Sequence, residues 1–320
     1  MNVIKITPRG YCHGVIDALN IVQQAAANPL VPRPIHILGM IVHNDHITRA
    51  LDDLDVITID DKNKSRLELL DLIPGGTVIF TAHGVSPAVK EKAQAKGLYC
   101  IDASCRDVVT THELIRGYVE EGYDILYIGK KGHPETEGSL GTAPGRVHLI
   151  QDPEDLNAFS ATQKKLMITN QTTMSLWDVA KLADAIQKKF PEAAFIREIC
   201  NATQIRQEAV AYKAKSADLT LVVGDPFSNN SGRLAQVSRE LADVPAKRIA
   251  SLSELDLSWL ESVSTVAVTS GASTPTAITK EVIDFLERYD HDDPSTWNTT
   301  SRVTPDKILF KAAKHKKTSI

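Results

Sequence analysis

Three of the four cysteines in this 320-residue chain, Cys12, Cys105 and Cys200, fall at nearly equal intervals of 93 and 95 residues. Each follows a strand-like run and opens a turn into a helical stretch. Four cysteines are too few for a disulfide framework in a chain this long, which leaves thiols or metal ligands. A lone intracellular cysteine is usually a small buried hydrophobe; Cys100, inside the strand-like Gly97–Ile101 run and out of step with the others, reads that way. A position shared by three repeated units is hard to obtain from packing alone, so metal binding leads for the other three. Three thiolates without a nearby fourth suit either a zinc with an open position or an iron–sulfur cluster with one iron not held by protein. Either arrangement makes a Lewis acid.

Two further sets of polar turns keep step with the cysteines. His43, His133 and Ser228 lie 31, 28 and 28 residues after their respective cysteines, in Val42-His43-Asn44, Gly132-His133-Pro134-Glu135 and Ser228-Asn229-Asn230. His83, Thr172 and Ser273 lie 71, 67 and 73 residues after them, in Thr81-Ala82-His83-Gly84, Asn170-Gln171-Thr172-Thr173 and Ser270-Gly271-Ala272-Ser273-Thr274. A single histidine near a strand end is more often structural than functional, and three in step weaken that reading. With Ser228, Asn230 and Ser273 they make a ring of donors suited to a compact polyanion such as diphosphate. Glu135 suits a proton donor beside a bound ligand, and the Thr172 hydroxyl a relay between Glu135 and that ligand; alone, each reads as an ordinary turn residue. No P-loop or dinucleotide fingerprint is present.

These turns need elements to place them. Apolar strands at Val78–Phe80, Ile125–Ile128, Leu219–Val223 and Val266–Val268 alternate with amphipathic helical stretches, the pattern of α/β units with parallel sheets. Ligands of open α/β sheets gather at the carboxyl ends of the strands, where these turns fall. The repeat predicts three similar α/β units around a pseudo-threefold axis, at residues 1–100, 101–195 and 196–290. A tail follows at 291–320, with Trp297 and Ile308-Leu309-Phe310 as anchors and Lys307, Lys311, Lys314, Lys316 and Lys317 as a solvated basic end. The net charge of −4, with signs interspersed, gives no basic face for nucleic acid. The opening MNVIKITPRG lacks the apolar stretch of a secretory signal and no apolar run is long enough for a membrane, so a soluble cytoplasmic protein is expected.

At these residues the chain resembles the 4-hydroxy-3-methylbut-2-enyl diphosphate reductase family, the last enzymes of the non-mevalonate isoprenoid route. The likeness runs through Arg9-Gly-Tyr-Cys-His-Gly-Val15, Val42-His-Asn44, Ala82-His-Gly-Val-Ser86, Asp102-Ala-Ser-Cys105, Gly132-His-Pro-Glu-Thr-Glu-Gly138, Gln171-Thr-Thr173, Ile199-Cys-Asn-Ala-Thr203, Ser228-Asn-Asn-Ser-Gly-Arg-Leu234 and Gly271-Ala-Ser273. The resemblance implies a trefoil of three α/β domains around a 4Fe–4S cluster on Cys12, Cys105 and Cys200, whose fourth iron takes the substrate hydroxyl. His43, His83, His133, Ser228, Asn230 and Ser273 would hold the diphosphate, with Asn229 in the same turn. Glu135 and Thr172, beside His133, would deliver the proton. The implied reaction is reductive dehydration of the allylic diphosphate to isopentenyl and dimethylallyl diphosphate, with electrons from a ferredoxin or flavodoxin.

Three positions depart from the family pattern: Arg106 stands where proline is usual, Ser104 where threonine is usual, and Asn229 where serine is common. They admit a paralogue with another substrate. An iron–sulfur sensor and a zinc-dependent hydrolase or lyase are the remaining alternatives, although a sensor needs no anion pocket.

Overall fold

A computed structural model describes residues 1–161, 163 and 165–309. The chain enters through β1 (Asn2–Lys5) and α1 (His13–Ala27). It continues with β2 (Ile35–Leu38), α2 (Asp45–Asp52), β3 (Val56–Ile59), α3 (Arg66–Leu69), β4 (Thr77–Phe80), α4 (Pro87–Ala95) and β5 (Tyr99–Asp102). After α5 (Arg106–Glu120) come β6 (Asp124–Ile128), α6 (Pro134–Leu140), β7 (Val147–Ile150), α7 (Pro153–Ala158), β8 (Leu166–Asn170), α8 (Leu176–Lys189) and β9 (Ala194–Phe195). The last unit holds α9 (Asn201–Lys213), β10 (Leu219–Val223), α10 (Asn229–Leu241), β11 (Ala246–Ile249), β12 (Thr265–Ser270) and α11 (Thr276–Arg288).

The strands form three four-stranded parallel sheets, ordered β3-β2-β4-β5, β7-β6-β8-β9 and β11-β10-β12-β1. The orders are equivalent, so the threefold repeat read in the sequence is a repeat of topology. Central strands of parallel sheets are covered by helices on both faces, and the runs IHIL, TVIF, DILYI, LMITN and LTLVV are accordingly buried along their whole length. The helices cover them through single apolar stripes, as α1 does with Val15, Ala18, Leu19, Val22 and Ala25. One core joins two of the sheets, running from Leu19, Ile35 and Ile37 to Leu221, Val223 and Val266; β6 and β8 contribute Leu126, Ile128 and Ile168 to another.

Sheet membership is offset from the sequence intervals. β1, within the expected first unit, pairs with β12 through Asn2↔Thr265 to Lys5↔Val268, and the 100/101 boundary falls inside β5, whose partner is β4. Each cysteine therefore stands where the chain leaves the edge strand of one sheet and crosses to the next. Within the tail, Ile308 is buried in the core and its carbonyl accepts the Tyr11 hydroxyl at 3.0 Å, one residue before Cys12. Trp297 donates its indole N–H to the Asp290 carbonyl at 2.8 Å. Phe310, Lys311, Lys314, Lys316 and Lys317 lie outside the described residues. Among the described residues no helix is long and apolar enough to cross a membrane.

Truncating Ile37 to alanine, fully buried in the core shared by two sheets, removes three carbons and leaves a cavity in their place. Ile37→Ala is expected to lower stability by about 2–5 kcal/mol, read as a shifted urea midpoint. A loss under about 1 kcal/mol contradicts the shared core.

Candidate active site

Parallel pairing sends the carboxyl ends of all three sheets toward the centre, and nine strand-to-helix turns arrive there. Cys12, Cys105 and Cys200 occupy the N-cap positions of α1, α5 and α9, all with extended backbone and no capping hydrogen bond from the side chain. Their backbone amides repeat one contact: Cys12 N–H donates to the Ala272 carbonyl at 3.0 Å, Cys105 to Ala82 at 3.0 Å and Cys200 to Thr172 at 3.1 Å. Each cysteine turn is in this way bonded to a turn of the Ser273, His83 or Thr172 set. Gly14 lies so near Cys105 that a Cβ there would stand 2.4 Å from Sγ, so any side chain at residue 14 displaces the sulfur.

A cavity of about 710 Å³, part of it at an open mouth, is lined by every residue predicted for the site: the three cysteines, His43, His83, His133, Glu135, Thr172, Ser228, Asn229, Asn230 and Ser273. Cys100 is not among its walls; it packs in the core beneath β4 and β5. The three imidazoles cluster, His133 edge to face with His43 and His83 at centroid distances of 5.2 and 5.5 Å, and His43 tilted against His83 at 4.4 Å.

Over residues 3–287 the chain matches the family model described as LytB protein. It belongs to the LytB family. It is 58% identical to 4-hydroxy-3-methylbut-2-enyl diphosphate reductase of Anoxybacillus flavithermus, over 98% of this chain and 99% of the relative. It is also 58% identical to the protein of that name from Geobacillus thermodenitrificans, over 97% and 98%. Among solved structures, the E-1-hydroxy-2-methyl-but-2-enyl-4-diphosphate reductase from Plasmodium falciparum superposes with a TM-score of 0.83 at 31% identity, covering 96% of both chains.

Within this LytB chain the polar groups are arranged to leave donors free. Asn230 is buried with neither its amide oxygen nor its nitrogen bonded, and His43 Nε2 is likewise buried without a partner among the described residues. His133 Nδ1 accepts the Glu135 N–H at 3.2 Å, which assigns the ring proton to Nε2 and turns it toward its neighbours. Ser228 Oγ accepts from both the amide and the hydroxyl of Ser231, at 3.2 and 3.0 Å, so its own proton remains available. Ser273 instead donates to the His43 carbonyl at 3.1 Å, and Asn229 gives its amide nitrogen to the Thr173 carbonyl at 2.8 Å, bridging the third unit to the second. The other two departures are quiet: Arg106 is the first helical residue of α5, where a missing or unused N–H costs little, and Ser104 bonds Asp102.

Burial governs the site's protonation. It pushes His43 down to about 4 and His83 and His133 well below their usual range, so the free rings are neutral near pH 7. Burial pushes the Cys105 thiol up to about 12 and that of Cys200 to about 11, against hydrogen bonding from Asp107 and Thr203 respectively. Glu135, 2% exposed, is raised to about 7 by burial, although Thr172 N–H donates to its Oε1 at 2.6 Å. The Glu135–Thr172 pair named from sequence is therefore in contact.

Four contributors escaped the sequence reading. Thr203 Oγ1 sits 3.2 Å from Cys200 Sγ, and Ser231 orients Ser228. Asp107 lines the cavity and pairs with His13 at 3.2 Å across the α1 and α5 termini. Arg206 is buried, held by the Ala202 and Gly10 carbonyls at 2.8 Å each, with Cys12 and Cys200 close enough to favour its charge. Thr203 and Ser231 lay within motifs already singled out; Arg206 reads as a solvated helix position until α9 is packed.

Because folding raises the Glu135 pKa, the folded chain keeps a proton that the unfolded chain releases above about 4.5. Stability then falls as pH rises from about 4.5 to about 7 and is flat beyond. Relative to Glu135→Gln, wild type is expected to lose about 2–3 kcal/mol between pH 5 and pH 8 in urea unfolding. Parallel curves for the two proteins contradict the raised value.

Proposed function

We infer that this chain reduces (E)-4-hydroxy-3-methylbut-2-enyl diphosphate to isopentenyl and dimethylallyl diphosphate, with loss of the hydroxyl as water. The observation that carries the reading is one cavity in which three cysteines face a ring of neutral donors, with a protonatable buried carboxyl between them. The balance of the reaction is two electrons and two protons in, one water out.

The donor chemistry fits an iron–sulfur cluster. A single tetrahedral zinc with Zn–S bonds of about 2.3 Å needs its sulfurs about 3.8 Å apart. Among the described residues, the sets whose ligand atoms all lie within 4.8 Å of one another are His43-His83-His133 and His13-Cys105-Asp107, and the cysteine trio is not one of them. That wider spacing favours a larger centre, a 4Fe–4S cluster on Cys12, Cys105 and Cys200, over the zinc reading. When bound, it supplies the electrons and an open Lewis-acid position for the alcohol oxygen.

The protein's own groups do the rest. His43, His83 and His133 donate ring N–H groups to the diphosphate, with the Ser228 hydroxyl and the Asn230 Nδ2 amide group completing the grip; Ser273 joins by releasing the His43 carbonyl. Asn229 braces this turn against Thr173. Glu135, with a pKa near 7, holds a proton at working pH and can release it, which is what a general acid needs. Thr172, bonded to it through the backbone, places a hydroxyl for relaying that proton to the departing oxygen. The cavity's apolar wall, with Val15, Val42, Ala82 and Val108, suits the five-carbon chain. With no second redox motif in the sequence, electrons come from an external carrier of the ferredoxin or flavodoxin kind.

The test is an anaerobic assay of reconstituted protein with the diphosphate and reduced methyl viologen, with iron counted in the same samples. Wild type turns over. Cys105→Ala loses both iron and activity, and Glu135→Gln keeps its iron while kcat falls by at least about 100-fold, the scale of a lost general acid. An iron-replete wild type without turnover overturns the substrate assignment; an iron-replete Cys105→Ala overturns the ligand assignment.

A further inference from the structure

The neutrality of the histidine ring leaves a question of charge. A diphosphate brings several negative charges, and in the free site the three rings offer hydrogen bonds but no net charge to meet them. The cations that reach these rings stand in a second cavity, of about 870 Å³ and open to solvent, that shares His43 and His133 as a common wall.

Its other walls come from all three units, the third through Phe227. Lys62, Lys64 and Arg66 descend from the loop into α3, and Lys130 and Lys131 from the turn after β6; Asp60, Asp61 and Glu137 are the acids. Lys64 is paired with Asp61, and Arg66 lies 3.7 Å from Asp60. Lys62, Lys130 and Lys131 are exposed and make no ion pair among the described residues. Lys62 is held at the mouth by Phe227, its ammonium 3.3 Å from the ring centroid.

At the floor, Arg66 is 6% exposed, and its Nε is buried without a partner. Its guanidinium lies flat against Gly39, where a Cβ would stand 2.4 Å from Cζ and where φ is +89°, so residue 39 must be glycine on both counts. Arg66 N–H donates to Glu137 Oε1 at 2.7 Å, which fixes this loop to α6 and so to His133. A buried cation with an unused donor beside neutral histidines is a built anion position.

We propose that the second cavity is the entry vestibule for the organic diphosphate, in which Lys62, Lys130 and Lys131 gather the anion and Arg66 passes it to His43 and His133. Five cations against three acids leave the cleft net positive, and such a field concentrates anions and raises association rates by roughly 10- to 1,000-fold. The gain vanishes as salt shortens the screening length, about 10 Å at 0.1 M and about 3 Å at 1 M. The lysines act on entry and leave the chemical step alone.

The inference rests on the diphosphate reading of the ring. Its test compares wild type with the Lys62→Ala/Lys130→Ala/Lys131→Ala variant and with the matching triple Lys→Arg variant, across salt. At low salt the alanine variant is expected to lose about 5- to 30-fold in kcat/KM with kcat within about twofold, to converge with wild type near 0.5–1 M salt, and to be rescued by arginine. The calorimetric Kd for inorganic pyrophosphate rises in the alanine variant at low salt and is restored by arginine. Equal kcat/KM at low salt, in a wild type that does turn over the diphosphate, overturns the vestibule alone. A wild type that neither turns over the substrate nor binds pyrophosphate overturns the ring's assignment and the vestibule with it.

Discussion

Sulfur atoms brought together in a buried cavity cannot all ionise unless a cation joins them, because each thiolate loses its hydration and repels the next. Here burial alone takes Cys105 and Cys200 far above neutral pH, and Cys12 lies near enough to raise both further. Without such a cation these thiols stay protonated at neutral pH. The N-cap turns, the amide bonds to Ala272, Ala82 and Thr172, and the close approach at Gly14 fix where the three sulfurs stand. Arg206, buried near Cys12 and Cys200, adds a positive charge that those two cysteines favour.

The same dryness sets the acid–base character of the remainder. Removing water holds the histidines neutral and lets Glu135 keep its proton up to about pH 7, so the free cavity carries little charge of its own and presents hydrogen-bond donors. A charged substrate then has to find its counter-charge elsewhere, at the metal end or among the lysines beside Arg66. Threefold topology explains how such unlike groups come to share one room: each sheet sends equivalent turns to the centre, and each turn carries its own side chain.

Most of this was legible in the spacing of polar turns. The cysteines, the histidines and the hydroxyl-bearing turns repeat because the strands beneath them repeat, and continuous apolar runs such as Leu219–Val223 mark strands buried on both faces. What stayed hidden depends on contacts distant in sequence. β1 joins the last sheet by pairing Asn2 with Thr265, and a strand of four residues gives no sign of its partner. Arg66 and Arg206 look like solvated charges on short amphipathic stretches, and only packing against Gly39 and α9's neighbours buries them. Asn229, a departure from the family pattern, turned out to brace the second unit through Thr173.

The central claim is a cluster with one iron left open for the substrate. Mössbauer spectra of the iron-57 reconstituted wild-type protein, recorded before and after addition of the diphosphate, test it directly. The account predicts that one iron site of the cluster is distinct from the other three and that this site alone shifts when substrate is added. Four equivalent sites indifferent to substrate, or a protein that takes up one zinc in place of iron, would contradict it.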